Sequence, residues 1–234
     1  MINLDKLKIL LNPLQYKQEK KLTKMYSMGI QGYINPNNCL ILTLSGKITS
    51  NQYSLGGITK ENYYQIPEIL FSKFGLLIDK NVLLNKVKVL AVDVKKDIFL
   101  ENPPHLYISA LNEAIKPYTR KVQTLIFEKD LGYEDSILVK PTTKTTKQSL
   151  SIYSKYKEIF IRRHSQLEYF EQFSEDFLES CKNILRIERR LNSFKEIRSA
   201  FHIERKGEVY LRDILFSDVN VLYEYLHKLS GGLI

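Results

Sequence analysis

The alternation of apolar and polar residues predicts several strands along the chain. Residues 85–100, NKVKVLAVDVKKDIFL, give the clearest one, because two sets of positions alternate and point to opposite faces of a strand. The sets are Val87, Val89, Ala91 and Asp93 on one face and Lys88, Leu90, Val92 and Val94 on the other. Residues 40–48 and 184–191 also read as strands, and residues 124–142 read as two strands around a turn that contains glycine.

Apolar residues at helical spacing predict helices between these strands. Two of them cover residues 60–79 and 105–119. The first is predicted to end near Gly75 and the second at Pro117. The other predicted helices cover residues 166–183, 211–216 and 217–229. Since strands and helices are mixed without a regular strand–helix–strand alternation, we predict an α+β fold with a central antiparallel sheet flanked by helices.

The stretch SLSIYSKYKEIF, residues 149–160, changes its pattern part of the way along. It is strand-like through Ile152 and has a helical pattern from Tyr156. It follows the most loop-like segment of the middle of the chain, residues 141–148, which are rich in threonine and lysine. We expect a single domain over residues 1–234, with any subdivision near this loop.

The charge and cysteine content narrow the classes of function. The 35 lysines and arginines exceed the 26 acidic residues and give a net charge of +9, which favours a polyanionic partner. A lysine-rich composition is also typical of proteins from AT-rich genomes. Cys39 and Cys181 are the only cysteines, and their spacing excludes a zinc finger and a disulfide scaffold. No apolar run reaches the roughly 18–20 residues that span a bilayer, and no secretory signal is recognisable, so we expect a cytoplasmic protein without a membrane partner.

Three carboxylates occupy positions where an ionised side chain is costly without a partner. Asp93 lies within an apolar strand, Glu158 follows two tyrosines, and Glu188 lies in mid-strand among arginines. Hard oxygen ligands from separate strands suit Mg²⁺ or Mn²⁺, so these three residues are the candidate metal ligands. For Glu188 the alternative is a structural salt-bridge network with the neighbouring arginines. Asp97 shares the face of Asp93 if the strand continues, or caps the segment that follows.

Other common catalytic patterns do not occur in the sequence. The four histidines are isolated and form neither a His-x-His nor a His-x-x-x-His pair. There is no Walker loop, no Gly-x-Gly-x-x-Gly and no Gly-x-Ser-x-Gly, and residues 54–59, SLGGIT, read as a turn. The order of basic residues around Tyr153 does not fit a tyrosine recombinase, because RRH at 162–164 is contiguous and follows the tyrosine.

Four short motifs, taken in order, resemble the replication initiators of the gene II/X family of filamentous phages, which are related to the rolling-circle initiators of small plasmids. The motifs are LSGKI, AVDVKKDI, IYSKYKE and ILRIERRL, and the resemblance covers about residues 40–220. The family's strand aspartate, Tyr-x-Lys-x-x-Glu element and Arg-hydrophobe-Glu strand match Asp93, then Tyr153, Lys155 and Glu158, then Arg186, Ile187 and Glu188. The sequence departs from the wider superfamily in lacking a His-hydrophobe-His metal motif, and Ala91 replaces the family's arginine.

The resemblance implies an enzyme that nicks one DNA strand, stays attached to the 5′ phosphate through a tyrosine, and later rejoins the strand. Tyr153 would be the nucleophile by this match. A phenol with a pKa near 10 is a poor nucleophile at neutral pH. Lys155, on the same face if this stretch is a strand, would stabilise the phenolate or the scissile phosphate. A Mg²⁺ or Mn²⁺ ion held by Asp93, Glu188 and Glu158 would polarise the phosphate.

Two alternatives stay open at this point. Tyr156 is close enough to Tyr153 to be a second nucleophile or the actual one, and Tyr153 is otherwise an ordinary strand tyrosine. The rival function is a non-catalytic regulator of replication that binds single- or double-stranded DNA. We expect DNA, as a single-stranded or supercoiled origin, to be the partner in the cytoplasm of a bacterial host, with host helicase and polymerase as further partners. The residues expected to contact DNA are Lys47, Arg186, Arg190 and Tyr156.

Overall fold

The computed structural model describes residues 1–18, 24–27, 29–49, 55–115, 122–125, 136–139, 149–163 and 174–231. The strands are β1 Leu4–Leu11, β2 Lys17–Gln18, β3 Lys24–Ser27, β4 Ile30–Ile34, β5 Leu40–Ser45, β6 Leu76–Leu77, β7 Lys88–Phe99, β8 Val122–Leu125, β9 Ser136–Val139, β10 Ser149–Ser154 and β11 Ile184–Leu191. The helices are α1 Ile66–Phe74, α2 Lys80–Asn85, α3 Pro104–Ile115, α4 Lys155–Arg163, α5 Glu175–Ser180, α6 Phe194–Ala200, α7 Leu211–Leu215 and α8 Val221–Leu229. Short 3₁₀ helices cover Pro13–Gln15, Gly46–Thr49 and Tyr63–Gln65.

The mixture of helices with antiparallel strands confirms the predicted α+β class. The chain divides into two compact units, of which unit 1 comprises residues 1–95 and 190–221 and unit 2 comprises residues 96–189 and 222–234. Strands β7 and β11 each begin in one unit and end in the other. The expectation of one domain over residues 1–234 stays a prediction. None of the helices in the described ranges is long and apolar enough to cross a membrane.

The sheet of unit 1 runs in the order β3-β4-β5-β1-β7, and each neighbouring pair is antiparallel. Its core face is made of side chains that alternate along the strands, such as Leu7 and Ile9 of β1 and Leu42 and Leu44 of β5, all of them fully buried. Burying a leucine or isoleucine side chain contributes about 1.5–3 kcal/mol, so this face accounts for much of the unit's stability.

The β3–β4 connection fixes which tyrosines lie on the other face of this sheet. Ser27 pairs with Ile30, so the connection has two residues, and Gly29 adopts a φ of 76°. A Cβ atom on Gly29 would lie 2.7 Å from Cγ2 of Ile48, so both the backbone and the space require glycine. This turn sets the register of the hairpin and places Tyr26 opposite Gln31.

Strand β7 occurs where the sequence predicts it, but its predicted faces are wrong. Lys8 of β1 pairs with Ala91, whereas the next residue, Ile9, pairs with Val89. Leu90 is therefore an extra residue on β7, which is a β-bulge. The bulge separates Val89 from the face of Ala91 and Asp93, because one additional residue reverses the alternation of side chains.

Unit 2 contains the strand order β7-β11-β10-β9-β8, with antiparallel pairing of β10 with β9 and of β9 with β8. Helix α3 packs against β9 and β10 and buries Ile108 and Ile115. The buried side chains of Ile137 and Ile152, which pair directly across β9 and β10, complete this part of the core. The packing of β10 in this core therefore holds the residues at its carboxyl end in position.

The other predicted elements are confirmed with shorter bounds. The strand at 40–48 ends at Ser45, and the helix at 60–79 is α1 with Gly75 as its left-handed C-cap. Of the two strands predicted within 124–142, the second is β9, whereas β8 begins two residues earlier, at Val122, and the predicted turn lies outside the described residues. The described part of the helix predicted at 166–183 is α5. The loop predicted at 141–148 lies outside the described residues, as does the first part of that helix.

Candidate active site

Tyr153 lies at the junction of a strand and a helix in unit 2. Strand β10 ends at Ser154 and helix α4 begins at the next residue, Lys155. The hydroxyl of Ser154 accepts a hydrogen bond from the backbone N–H of Lys157 at 3.5 Å, which is the geometry of an N-cap. The condition under which Tyr153 and Lys155 would share one face of a strand is therefore not met, because the strand ends between them.

The phenol of Tyr153 is buried and donates its hydrogen bond to a carboxylate. The residue is 8% exposed, and Oη lies 2.5 Å from Oε1 of Glu188 on β11. Burial raises the pKa of Tyr153 well above its ordinary value, and the negative charges of Glu158 and Glu188 raise it further, while Arg186 opposes them. The phenol is accordingly protonated at neutral pH, with Glu188 in place as the acceptor of its proton.

Lys155 and Glu158 form a buried ion pair within the first turn of α4. The Nζ atom of Lys155 donates to Oε2 of Glu158, three residues further along the helix. Glu158 also gains from its position, because a carboxylate in the first helical turn interacts favourably with the helix dipole. Both side chains are buried, so the pair is held in a fixed geometry beside Tyr153.

Arg186 is the second buried cation of this group, with 1% of its surface exposed. Its Nε and Nη2 atoms donate to the two oxygens of Asp97 at 2.5 and 2.7 Å, which is a bidentate pair. Its Nη1 atom lies 3.8 Å from Oε1 of Glu188, the atom that accepts from Tyr153. We call Tyr153, Lys155, Glu158, Arg186, Glu188 and Asp97 the Tyr153 cluster.

Asp93, the third candidate metal ligand, belongs to unit 1. It is buried, and the Nε atom of Arg190 lies 3.2 Å from each of its oxygens. Burial raises the pKa of Asp93, although the charges of Arg190 and Lys6 act in the opposite direction. The partner is more open than the acid, since half of the Arg190 side chain is exposed.

The predicted metal ligands in unit 2, Glu158 and Glu188, are each engaged by another side chain of the Tyr153 cluster. Glu158 is paired with Lys155, and Glu188 accepts from Tyr153. Within the part of the chain that the structure describes, no group of three or more His, Cys, Asp or Glu side chains is arranged to hold a metal ion. The donor set therefore does not fit the Mg²⁺ or Mn²⁺ that the sequence indicated.

The residues expected to contact DNA differ in their accessibility. Arg190 is half exposed, and Lys47 is half-buried in the 3₁₀ helix Gly46–Thr49. Tyr156 is half-buried on α4, with the ammonium of Lys182 5.7 Å from its ring centroid. Arg186 has almost no exposed surface to offer to DNA while it is bound to Asp97. Their contacts with DNA stay predictions.

Two residues near Tyr153, Asp97 and Cys181, were not assigned to the site from the sequence. Asp97 pairs with Arg186, and a signal for this was present, because the four-residue spacing of Asp93 and Asp97 is repeated by Arg186 and Arg190. Cys181 is also buried nearby: burial raises the pKa of its thiol, while the charges of Lys155 and Arg186 act to lower it. No spacing in the sequence pointed to that thiol.

One family of proteins and one solved structure are similar to this chain. A solved structure of a rolling circle replication initiator protein from Geobacillus stearothermophilus aligns over 98% of this chain and 96% of its own, with 10% identity and a TM-score of 0.42. No curated protein sequence matches the chain. The sequence pattern of the N-terminal part of the phage replication-associated protein, the gene II protein, matches residues 65–208, more than half of the chain, and includes the Tyr153 cluster and Asp93 but not Lys47. The match over residues 65–208 confirms the predicted resemblance to the phage replication initiators, and the chain belongs to the family of the phage replication-associated protein N-terminal region.

Proposed function

We propose that this protein nicks and rejoins one strand of a DNA origin during rolling-circle replication, with Oη of Tyr153 as the nucleophile. The observation that carries the proposal is the 2.5 Å hydrogen bond from Tyr153 to Glu188. A weak nucleophile beside an oriented base is the usual arrangement for covalent catalysis. We infer that DNA is the substrate because the family is associated with replication.

The proposed nicking step conserves the phosphodiester bond energy. The proton of Tyr153 passes to Glu188 as Oη forms a bond to the phosphorus, and the bond from phosphorus to the 3′ oxygen breaks. The 3′ oxygen leaves as a hydroxyl after taking up a proton from solvent, and the 5′ phosphate stays on the tyrosine. Rejoining runs the same steps in reverse, with a 3′ hydroxyl as the attacking group.

The electrostatics of the cluster explain why a base is needed. Burial and the negative charges of Glu158 and Glu188 raise the pKa of Tyr153, and Arg186 only partly opposes them, so a free phenolate is unfavourable there. Proton transfer to Glu188 must therefore accompany bond formation to phosphorus rather than precede it. A base that acts in this way typically contributes 10²–10⁴-fold to the rate, as an order-of-magnitude expectation.

Lys155 is proposed to respond to the incoming phosphate. In this structure its ammonium is neutralised by Glu158. A scissile phosphate that approaches Tyr153 would compete with Glu158 for this cation, and Lys155 would then stabilise the charge that develops on the phosphoryl oxygens. We draw no step through a divalent ion, because the described carboxylates do not fit one; the requirement for Mg²⁺ or Mn²⁺ stays a prediction for the assay below.

A denaturing-gel assay for a covalent protein–DNA adduct tests the proposal. Single-stranded and supercoiled origin DNA should be supplied with Mg²⁺, with Mn²⁺ and with chelator. We expect wild type to form an adduct and Tyr153→Phe to form none, because the substitution removes only the nucleophilic oxygen. Tyr156→Phe is the matched control and should retain the adduct. An adduct that survives in Tyr153→Phe and is lost in Tyr156→Phe would transfer the role to Tyr156.

A non-catalytic DNA-binding regulator is the second candidate. It is favoured by the closed state of the cluster, in which Tyr153, Lys155 and Arg186 are each already engaged by a carboxylate. Such a protein would bind origin DNA but give no adduct under any of the metal conditions. Adduct formation by wild type would exclude it.

A further inference from the structure

One face of the unit 1 sheet carries tyrosines and lysines and is most exposed on β3 and β4, whereas Ile41 on β5 and Asp93 on β7 are buried. The strand register places five side chains in one row across neighbouring strands, each directly opposite the next. In order across the sheet, the row is Tyr26, Gln31, Thr43, Lys8 and Ala91. The face is opposite to the core face, because the residues adjacent to these in sequence, such as Leu7, Ile9, Leu42 and Leu44, are buried.

Two more side chains lie on the same face, next to this row. Tyr33 lies two residues after Gln31 on β4, and Lys6 lies two residues before Lys8 on β1. Tyr26 is 81% exposed and Tyr33 is 47% exposed, and Lys6 and Gln31 are exposed as well. Single exposed aromatic side chains are common, but two on adjacent strands of one sheet face, next to lysines, form a continuous surface that a partner can bind.

We propose that this face, comprising Tyr26, Tyr33, Gln31, Lys6 and Lys8, binds single-stranded DNA. We call it the tyrosine–lysine face. It lies outside residues 65–208, the part that matches the family, so the family pattern does not assign it. The choice of DNA as the partner rests on the proposed function, whereas the binding surface itself rests on the exposure and register of these side chains.

The tyrosines provide a stacking platform for unpaired bases. Tyr26 and Tyr33 are diagonal neighbours on paired strands, because Tyr26 lies opposite Gln31 and Gln31 lies two residues from Tyr33. Side chains in that relation are about 7–8 Å apart, a separation that lets each ring stack on a different base. Open sheet faces with exposed aromatic rings bind single strands in this way, whereas a paired duplex hides its base faces.

The lysines are placed to follow the phosphate backbone of such a strand. Lys8 is three strands from Tyr26 along the row, or about 14–15 Å at the usual spacing of strands. Lys6 follows on the same strand, opposite Asp93 of β7. The acids near Lys6 are Asp93, to which Arg190 is bound with half of its side chain exposed, and Asp5, which is paired with Lys95. The face is therefore positive as well as aromatic, which fits a polyanion with exposed bases and not an acidic or purely apolar partner.

A titration of a fluorescent oligothymidylate by fluorescence anisotropy tests this proposal. Tyr26→Ala combined with Tyr33→Ala should weaken binding by at least about 25-fold, because each lost stack costs a factor of about five or more. The corresponding pair of phenylalanine substitutions should bind as wild type does, since the ring is kept. Tyr64→Ala is the matched control: Tyr64 is half exposed on a 3₁₀ helix of the same unit, and its loss should leave the affinity unchanged.

The salt dependence of the same titration tests the lysines. Lys6→Gln combined with Lys8→Gln should reduce the slope of log affinity against log salt concentration by about 1.4, that is, about 0.7 for each lost contact with a single strand. A thermal melt of each variant checks that the fold is kept, as expected for exposed side chains.

Three results would overturn the proposal. The first is unchanged affinity of the double alanine variant, and the second is an equal loss in Tyr64→Ala. The third is an equal loss of affinity for a duplex of the same length, which would show that the tyrosines do not read unpaired bases. The readout involves no cleavage, so failure of Tyr153 to form an adduct leaves this test intact.

Discussion

Two acid–arginine pairs join the same two strands and differ in how open they are. Asp97 and Arg186, in unit 2, form a bidentate pair at 2.5 and 2.7 Å in which the arginine is almost fully buried. Asp93 and Arg190, in unit 1, are joined through Nε alone at 3.2 Å, and half of the arginine side chain is exposed. The sequence spacing is identical, since each acid and each arginine is four residues from its counterpart.

The difference shows that the same spacing of acids and arginines on two strands gives one buried arginine and one exposed arginine. The closed pair fixes a buried positive charge beside Glu188 and belongs to the Tyr153 cluster, where chemistry is proposed. The open pair leaves a cation accessible next to the tyrosine–lysine face, where DNA binding is proposed. Each substitution below alters either the Tyr153 cluster or the Asp93–Arg190 pair.

The largest effect is expected from Glu188→Gln in the closed cluster. The amide still accepts a hydrogen bond from Tyr153 but cannot take its proton, so the rate of adduct formation should fall by about 10²–10⁴-fold. Single-turnover kinetics on a radiolabelled origin strand measure this rate, and DNA affinity should stay nearly the same. Glu179→Gln, which alters an exposed glutamate of α5, is the control and should react as wild type does.

The same variant separates two roles for Glu188. The sequence indicated a metal ligand, whereas the contact with Tyr153 indicates a base. A weakened metal site regains activity when the metal concentration is raised, but a missing base does not. Recovery of the Glu188→Gln rate with increasing Mn²⁺ would therefore contradict the role of base.

The closed pair should also be the more important of the two for stability. Arg186→Met removes the bidentate partner of a buried carboxylate, and such a loss typically costs about 3–5 kcal/mol of unfolding free energy. Chemical denaturation of the variant and of wild type measures this difference. A cost below about 1 kcal/mol would show that the buried pair is not the structural element described above.

Arg190→Met is the matched change in the open pair. We expect it to cost less than the about 3–5 kcal/mol of Arg186→Met, because half of the arginine is exposed and Asp93, whose pKa burial raises, can take up a proton when its partner is lost. Affinity for single-stranded DNA should fall more clearly than stability does, if the exposed guanidinium contacts phosphate. Equal destabilisation by Arg186→Met and Arg190→Met would remove the distinction between the two pairs.

The smallest effect is expected from Asp93→Asn, which should stabilise the protein rather than destabilise it. Burial raises the pKa of Asp93, so its ionised form at pH 7 is less favourable in the folded protein than in the unfolded chain. Asp93→Asn should therefore raise the melting temperature at pH 7. The advantage should shrink as pH falls through the raised pKa towards the ordinary value, because wild type then becomes protonated. A lower melting temperature for Asp93→Asn at pH 7 would contradict this assignment.

Strands β5, β7 and β11 and the order of motifs were predictable from the sequence because they depend on local pattern, whereas β1, β3 and β4 were not assigned from it. The alternation of β11 and the apolar run of β7 gave both strands nearly to their ends. The bulge at Leu90 was not predictable, because it arises from pairing with Lys8 and Ile9 of β1, far away in sequence. The faces assigned to β7 failed for that reason.

The residue types of the site were predictable, but their pairing was not. The motif order selected Tyr153, Lys155, Glu158 and Glu188, which the family pattern spans. Whether a carboxylate meets a metal, a cation or a phenol depends on side-chain geometry, and Glu188 proved to accept from Tyr153. The helix start at Lys155 likewise depends on the cap provided by Ser154, and this changed how Lys155 is placed.

The most direct test of the central claim is mass spectrometry of the covalent adduct after digestion with trypsin. Cleavage after lysine separates the two candidate tyrosines, because Tyr153 lies in the peptide QSLSIYSK, residues 148–155, and Tyr156 lies in the next peptide, YK. We predict that the nucleotide mass is found on the first peptide, at the tyrosine. A modified YK peptide, or a nucleotide on any other residue, would contradict the assignment of Tyr153 as the nucleophile.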